Sequence, residues 1–477
     1  MSALDAVVIG SGPNGLAAAL VLARAGLGVE VFEGAPTPGG GCRTEELTLP
    51  GFHHDVCSTV QSMLSLSPFF AGVDLGRRGV ELCKPAVAFA HPLDGGRAGA
   101  VTGTVAETAA MLGADGARYE KLFGPLVENA ATIVPTVLAP LRSLPRNPVA
   151  MARFATAGVP SAAHLSRRFS TEEAKALLAG VAGHAMLPLE APLTAAFGIF
   201  LTIVAHAGSW PVVKGGSARL VEALVAELID AGGTVHTGQF VNSLAEIPAA
   251  RAVVFDTSTE TLLALAGARL PAHYRRALGR LQHGPGICKL DWALSGPMPW
   301  SAEVCRRAGT VHLGGDFAEV AASEAAVAAG RHAERPYCLV VQPGVADPTR
   351  APSGQETLWA YCHVPRGSTI DMTDRIEAQI ERFAPGFKDL VLARSSLTAA
   401  QVEAHNPNYV GGDITGGAGT LRQTIFRPSV RWNPYRTGAK GIYLCSASTP
   451  PGGGVHGMCG VGAAKAVLED LKRRPRP

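Results

Sequence analysis

A glycine-rich turn near the start of the chain constrains the fold most. An apolar run over 6–9 leads into Gly10-Ser11-Gly12-Pro13-Asn14-Gly15, and the apolar spacing that follows predicts a helix over 16–25. A second short strand over 29–32 ends at Glu33. Strand, glycine turn, helix, strand and acid in this order predict a βαβ unit that binds a dinucleotide.

The residue types in this turn suit that chemistry. Gly10 allows the tight turn, Gly12 lets backbone amides approach a pyrophosphate, and Gly15 lets the helix pack close to the strand. Pro13 fits the first turn of a helix. The free amides and the positive dipole end of the helix favour a diphosphate, and Glu33 is placed to accept hydrogen bonds from ribose hydroxyls.

A second glycine cluster, Gly39-Gly40-Gly41 followed by Arg43, comes soon after Glu33. It resembles the GGR(T) segment of flavoproteins in the amine oxidase and phytoene desaturase superfamily. Three glycines give a backbone that can lie against a diphosphate or a flavin edge, and Arg43 offers a fork of donors to a phosphate. The alternative is a flexible loop with a solvated arginine. After an intact dinucleotide motif, the cluster favours FAD over NAD.

A third glycine-rich stretch lies near the carboxyl end of the chain. A predicted strand over 441–446 enters the turn Pro450-Pro451-Gly452-Gly453-Gly454, and a helix is predicted over 461–471. The stretch resembles the C-terminal signature of phytoene dehydrogenase-like proteins. The resemblance implies that this helix N-terminus faces the electron-rich N1–C2 carbonyl edge of a flavin.

The family resemblance implies an α/β fold, in which a discontinuous Rossmann-like FAD-binding domain carries an inserted, mixed α+β substrate domain. The FAD-binding domain is expected over 1–70, 212–280 and 415–477, and the substrate domain over 71–211 and 281–414, with a helical part at about 105–205. The resemblance also implies that Val241 contacts the adenine side by its backbone. The expected cofactor-binding residues are Gly10, Gly12, Pro13, Asn14, Gly15, Glu33, Gly40, Gly41, Arg43, Val241, Ser446, Gly457 and Met458.

Three side chains are candidates for a catalytic role. Tyr361 lies on a predicted strand where it shares one face with His363, so both can point into a cavity or be core residues. His456 lies in the expected flavin-edge turn, where it can orient a substrate or simply bond to the backbone. Asp413 follows two glycines, and a loop-holding role is favoured over that of a base. Asp55 follows the second glycine cluster, and we expect it to hold that loop rather than a metal.

The expected activity follows from the cofactor and from what the sequence lacks. No second GxGxxG motif and no closely spaced cysteine pair occur, which disfavours disulfide reductase chemistry. We expect a non-covalent FAD enzyme that takes a hydride from a largely apolar substrate and is reoxidised by oxygen, a quinone or another acceptor. Two alternatives remain open: a flavin amine oxidase, and a flavin-stabilised interaction or regulatory protein with little turnover.

Composition restricts partners and compartment. With 42 Lys and Arg against 39 Asp and Glu, the net charge of +3 and the absence of a basic stripe argue against nucleic-acid binding. Nine scattered cysteines indicate a reducing, cytoplasmic compartment.

The uncharged stretch 191–213 predicts a buried helix rather than a membrane span. The basic, apolar segment 123–169 predicts either peripheral contact with anionic lipid or a helical cap with snorkelling arginines.

Overall fold

Five parallel strands form the sheet that carries the first glycine turn. The computed structural model describes residues 4–140 and 143–472, so that residues 1–3, 141–142 and 473–477 of the expected domain ranges lie outside the described residues. In the order of the sheet its strands span 442–444, 250–255, 4–9, 29–32 and 234–236, and every neighbouring pair is parallel. Its strands come from three separated parts of the chain, as a discontinuous nucleotide-binding unit requires. The exact domain boundaries stay a prediction.

A second sheet of seven strands is formed by the intervening chain. Its order is β15-β11-β14-β13-β12-β6-β7, and its pairs are antiparallel except for β12 with β6. The strands of the protein are β1 Leu4–Ile9, β2 Val29–Phe32, β3 Thr44–Glu45, β4 His54–Asp55, β5 Leu82–Cys83, β6 Val87–Pro92, β7 Ala98–Thr102, β8 Val212–Val213, β9 Thr234–His236, β10 Ala250–Phe255, β11 Gly286–Leu294, β12 Ala308–Leu313, β13 Cys338–Val341, β14 Glu356–Val364, β15 Val391–Leu397 and β16 Ile442–Leu444.

Helices cover both sheets. They are α1 Pro13–Arg24, α2 Val105–Met111, α3 Gly116–Glu128, α4 Ala130–Val137, α5 Pro148–Gly158, α6 Ala162–Ser166, α7 Glu172–Ala182, α8 Thr194–Gly208, α9 Ala218–Asp230, α10 Thr259–Ala266, α11 Ala272–Leu278, α12 Phe317–Ala328, α13 Thr373–Phe383, α14 Phe387–Leu390, α15 Ala399–His405, α16 Leu421–Phe426 and α17 Met458–Lys472. Helices α1, α9 and α17 pack on one face of the five-stranded sheet, and α10 and α11 pack on the other.

The second sheet carries helices on both of its faces. Helix α13 packs on the face that includes Leu358 and Ala360 of β14. Helix α7 packs on the opposite side, against β6 and β7, and joins the helical cap formed by α3 to α8. Both faces are therefore covered, which explains why β11 is buried along its whole length and β14 at every residue after its first.

Local sequence signals located the helices that they predicted to within a few residues. Helix α17, predicted over 461–471, begins at Met458 and ends at Lys472. Helix α1 begins three residues earlier than its apolar pattern, at Pro13, because a proline fits the first helical turn. The buried helix expected within 191–213 is α8. Among the described residues, no helix is long and apolar enough to cross a membrane.

A fully buried arginine ties the second sheet to the nucleotide-binding part. Arg350 donates from Nη1 to Asp55 Oδ2 at 3.0 Å and from Nε to Asp347 Oδ2 at 2.8 Å. Its Nη2 donates to the Val213 carbonyl at 3.0 Å. Asp55 in turn accepts from the Thr44 hydroxyl and the Ser217 amide, so it holds the second glycine loop as the sequence suggested.

We expect Arg350→Met to lower the free energy of unfolding by about 3–5 kcal/mol, because two buried carboxylates lose their partner. Urea unfolding of the purified protein measures the loss. Arg335→Gln is the matched control, since that arginine is mostly exposed and its ion pair is long, at 3.9 Å. Equal stability of the two variants would show that Arg350 does not join the two parts.

Candidate functional site

The first glycine turn and the second glycine cluster lie against each other. Gly12 caps α1, and a side chain at Gly40 would come within 3.3 Å of the Gly12 Cα atom. The Gly39 amide donates to the Ser11 hydroxyl at 3.1 Å. The Ser11 amide and hydroxyl both donate to Glu33 Oε2, at 3.0 and 2.6 Å. The two motifs therefore form one continuous surface of backbone at the N-terminus of α1.

Two buried polar atoms on this surface have no hydrogen-bond partner. They are Asn14 Oδ1 and Arg43 Nε. Arg43 also approaches Glu33 with 3.7 Å between Nη2 and Oε1, a loose ion pair. Glu33 accepts three hydrogen bonds within the protein, from Ser11 and from the Ala35 amide, which leaves lone pairs for a further donor. Buried polar atoms without partners are costly, so this surface fits a ligand that carries phosphates and hydroxyls.

The C-terminal glycine-rich turn brings a second helix N-terminus to the same place. Helix α17 packs along α1, and Gly460 lies directly against the Asn14 carbonyl, where any side chain would clash. Gly457, with φ of +68°, lies against the ring of Phe69, and Met458 begins the helix. Two helix N-termini are therefore adjacent, and their dipoles concentrate positive potential on one ligand.

The remaining expected cofactor residues border these two helix ends. Val241 is buried against the apolar cluster that contains Ile9 and Phe32, and the nearby Gln239 amide donates to the Glu33 carbonyl at 2.8 Å. Ser446 follows β16 and accepts from the Thr449 amide and hydroxyl with its carbonyl. The segments with Val241, Glu33 and Ser446 all leave the carboxyl ends of parallel strands, the edge at which such sheets bind ligands.

Asp256, which the sequence analysis did not select, lies beneath the first glycine turn. Its Oδ2 accepts from the Gly15 amide at 2.7 Å, and a side chain at Gly12 would reach that oxygen at 2.7 Å. Gly10 has φ of +98° and lies against the Asp256 carbonyl. Burial, together with the nearby Glu33 charge, raises the pKa of Asp256 from 3.8 to about 7. Asp256 follows β10 directly, and its position after a strand parallel to β1 was the signal for it.

His456 bonds to the backbone of the C-terminal glycine-rich turn, which is the second of the two roles that the sequence left open. Its Nδ1 accepts from the Met458 amide at 3.0 Å, so Nε2 carries the proton and donates to the Gly452 carbonyl at 3.1 Å. Both nitrogens are engaged, and burial lowers the pKa of the ring to about 4. The neutral imidazole thus fixes the turn and the start of α17.

Asp413 holds a loop, as the favoured interpretation expected. Its carboxylate accepts from the amides of Gly284, Thr415 and Gly417 at 2.7–2.9 Å and from the Thr415 hydroxyl at 2.6 Å. Burial alone would raise the pKa of Asp413, but the bonds from His283, Thr415 and the amides lower it overall. A fully bonded carboxylate of low pKa is a poor general base.

Tyr361 is the candidate that keeps a free polar group. It lies in a cluster with Trp359, Met186 and Ile287, and Tyr409 packs beside them. The Tyr361 and Trp359 rings are stacked with centroids 5.9 Å apart, and within the described residues the Tyr361 hydroxyl makes no hydrogen bond. Its hydroxyl can therefore bond to a ligand.

His363 shares the face of Tyr361, as alternation predicted, but it is engaged by Glu324. The His363 Nδ1 lies 2.8 and 2.9 Å from the two carboxylate oxygens of Glu324 on α12. Both side chains are almost fully buried. Glu324 therefore holds His363 through Nδ1, while the Nε2 of the ring is buried without a hydrogen-bond partner.

Lys289, a buried lysine of β11, was also not predicted as a site residue from the sequence. Lys289 is 3% exposed and lies 2.5 Å from Asp291 Oδ2, and its ammonium is 5.4 Å from the centre of the Trp359 ring. Burial and the Lys289 charge lower the pKa of His54 to about 3. Lys289 and Asp291 alternate with apolar residues in β11, and two charges on one face of a buried strand were the signal.

Tyr409 links this face to the glycine loops. Its hydroxyl lies directly against Gly41, where a side chain would clash, and it approaches the Cys57 thiol. The aromatic face of β14 and the second glycine cluster are thus the two walls of one site. Among residues 4–140 and 143–472, no group of His, Cys, Asp and Glu could hold a metal ion.

We expect Asp256→Asn to change how stability depends on pH. A carboxyl whose native pKa is raised favours folding in its protonated form, so wild-type stability falls as pH rises from about 4 through about 7. The variant lacks this decline and should have a higher Tm than the wild type at pH 8, measured by thermal unfolding across pH.

Asp413→Asn is the control with the opposite sign. The lowered pKa of Asp413 means that its contribution is present at neutral pH and is lost on acidification. That variant should have a lower Tm than the wild type at neutral pH and approach it in acid. A parallel shift of the two variants at every pH would contradict the account of Asp256.

Comparison with known proteins agrees with this geometry. Residues 8–65 match the model of the NAD(P)-binding Rossmann-like domain family, which spans β1, α1, β2 and both glycine clusters. The fold resembles that of a putrescine oxidase variant whose cofactor binding was redesigned, with a TM-score of 0.62, 16% identity and coverage of 98% of this chain and 99% of that one. The Rossmann-like core and the separate mixed sheet are thus confirmed.

Two curated relatives indicate the class of protein. Pyridine nucleotide-disulfide oxidoreductase domain-containing protein 2 of Mus musculus is 27% identical, over 98% of this chain and 94% of its own. The neurosporene-forming phytoene desaturase of Rhodobacter capsulatus is 25% identical over 31% of this chain and 29% of its own. The chain is thus an oxidoreductase with a dinucleotide-binding site, similar in sequence to these two relatives and in fold to putrescine oxidase.

Proposed function

We propose that the dinucleotide is FAD, bound without a covalent link. The observation that carries this proposal is the adjacency of two helix N-termini, α1 and α17, at Gly460. A diphosphate needs only the first of them, whereas a flavin also has an electron-rich edge that suits the second. Asn14, Glu33 and Arg43 would hold the ribose and phosphates of FAD. When bound, FAD accepts a hydride equivalent from a substrate.

The substrate is proposed to be a largely apolar organic molecule that loses hydrogen to form a C=C or C=N bond. Residues Met186, Ile287, Leu339 and Trp359 supply an apolar wall, and burial of the substrate against them excludes water. Tyr361 supplies a hydroxyl that can orient one polar group of the substrate. The Tyr361 phenol stays protonated at neutral pH because burial raises its pKa.

Lys289 disfavours a cationic substrate at this wall. Its buried ammonium lies over Trp359, on the same aromatic face that an amine substrate would use. Asp291 Oδ2 lies 2.5 Å from the Lys289 Nζ atom and offsets part of its charge, so this carboxylate oxygen is already engaged by a cation. Amine oxidation therefore stays the second candidate, supported by the likeness of the fold to putrescine oxidase.

We expect the purified protein to be yellow and Glu33→Ala to bind FAD roughly ten- to hundredfold more weakly, because a charged hydrogen-bond acceptor is lost. Flavin absorbance after gel filtration and fluorescence titration of the apoprotein measure this. Glu30→Ala is the matched control: it lies on the same strand but pairs with His236. Colourless wild-type protein that FAD does not reconstitute would exclude the proposal.

Anaerobic mixing with a library of polyenes, isoprenoid lipids and amines tests the substrate class. We expect an apolar compound to bleach the flavin absorbance and primary amines to leave it unchanged. In Lys289→Met, loss of the ammonium should increase any reaction with amines. Rapid bleaching of the wild-type flavin by an amine alone would establish the amine oxidase alternative instead.

A further inference from the structure

A basic groove lies on the surface between α11 and the segment 420–436, outside the site described above. Its volume is about 910 Å³, and α11 contributes one wall. Side chains that line it include His273, Arg280, Arg422, Phe426, Arg431 and Trp432. The Arg431 guanidinium stacks 5.1 Å from the centre of the Tyr274 ring, which fixes the opposite wall to α11.

One short segment beside this groove exposes a concentration of large apolar side chains. Trp432 is 80% exposed and Val430 is 71% exposed, far more than the typical hydrophobic residue of this protein. The described part of the chain exposes thirteen large hydrophobic residues, and five of them lie within the twelve positions 421–432: Leu421, Ile425, Phe426, Val430 and Trp432. Single exposed apolar residues need no explanation, but such a cluster marks an interaction surface.

Arginines dominate the charge around this cluster. No Asp or Glu occurs between Asp413 and Glu469 or between Glu260 and Asp291 in the sequence. The two acids that reach the lining of the groove, Glu469 and Asp470, both pair with Arg436. Arg276, Arg280 and Arg422 are exposed, and they form no ion pair within the described residues. Such a surface suits an anionic partner.

We propose that this surface, residues 420–436 with α11, docks on an anionic lipid bilayer. Tryptophan and aliphatic side chains enter the boundary between headgroups and acyl chains, while arginines on the same face bind lipid phosphates. A second copy of the chain is disfavoured, because a two-fold contact through this patch would bring arginines against arginines. The inference does not depend on FAD or on the substrate.

The surface differs from the segment 123–169, for which the sequence left lipid contact open. There, Leu144, Val149, Arg153 and Val159 are exposed, but most other described apolar residues of the segment are buried in the helical cap with α3 and α8. The structure thus favours the cap interpretation for that segment. Val149 and Arg153 provide a matched control for the proposal.

Vesicle flotation tests the proposal. We expect the full-length protein to float with vesicles of equal parts phosphatidylcholine and phosphatidylserine, not with phosphatidylcholine alone, and to be released by salt.

The variant Trp432→Ala with Val430→Ser should lose most binding. Arg280→Gln and Arg422→Gln should each weaken it about fivefold. Val149→Ser with Arg153→Gln should bind like the wild type. Unchanged Tm in all variants excludes misfolding.

Tryptophan fluorescence reports on the docking surface directly. The other four tryptophans, Trp210, Trp292, Trp300 and Trp359, are at most 4% exposed, so iodide quenching in solution senses Trp432. Anionic vesicles should abolish that quenching and shift the emission to shorter wavelength.

Three results would overturn the proposal. The folded protein does not float with anionic vesicles, or only the Val149→Ser with Arg153→Gln variant stops floating. The third is a dimer in sedimentation that Trp432→Ala with Val430→Ser dissociates.

Discussion

The close packing of α1 against α17 is the contact on which the candidate site depends. Gly460 allows α17 to touch the backbone of α1 at Asn14, and Gly12 and Gly40 bring the two N-terminal glycine motifs together. A methyl group at Gly460 would separate the two helix ends, whereas one at Gly12 would meet the Asp256 carboxylate and one at Gly40 would press on Gly12. Asp256 adds a constraint from below, because it accepts from the Gly15 amide and fills the space under the turn. The glycines therefore serve the packing of the protein itself as well as a cofactor.

The second constraint is the joint between the two sheets. Arg350 connects Asp55, which holds the second glycine loop, with Asp347 and with the Val213 carbonyl. This joint fixes the nucleotide-binding loops relative to the wall formed by Trp359 and Tyr361. Tyr409, in contact with Gly41, closes the same gap from another direction. An oxidoreductase of this kind needs such rigidity, because hydride transfer requires the donor and acceptor atoms in near contact.

The local motifs were readable from the sequence, whereas their mutual contacts were not. The turn at 10–15, the acid at Glu33 and the helix α17 follow from spacing and periodicity, which are properties of neighbouring residues. Asp256, Lys289 and Arg350 owe their roles to partners up to 295 positions away in the chain. Local patterns do not show such distant pairs, although a charge within a buried strand is a usable signal. His456 and Asp413 are a different case, because their residue types suggested chemistry and amides only two to four positions away hold them.

The central claim is that one dinucleotide, with a flavin at the end of α17, binds across both helix N-termini. Thermal unfolding of the apoprotein with increasing FAD, NAD or NADP tests it most directly, because a ligand that binds only the native state raises Tm with its concentration. FAD should raise the Tm, and the fluorescence of its flavin should be quenched when it is mixed with an equimolar amount of protein. NAD and NADP should have no effect. A rise in Tm with NAD or NADP and none with FAD would contradict it.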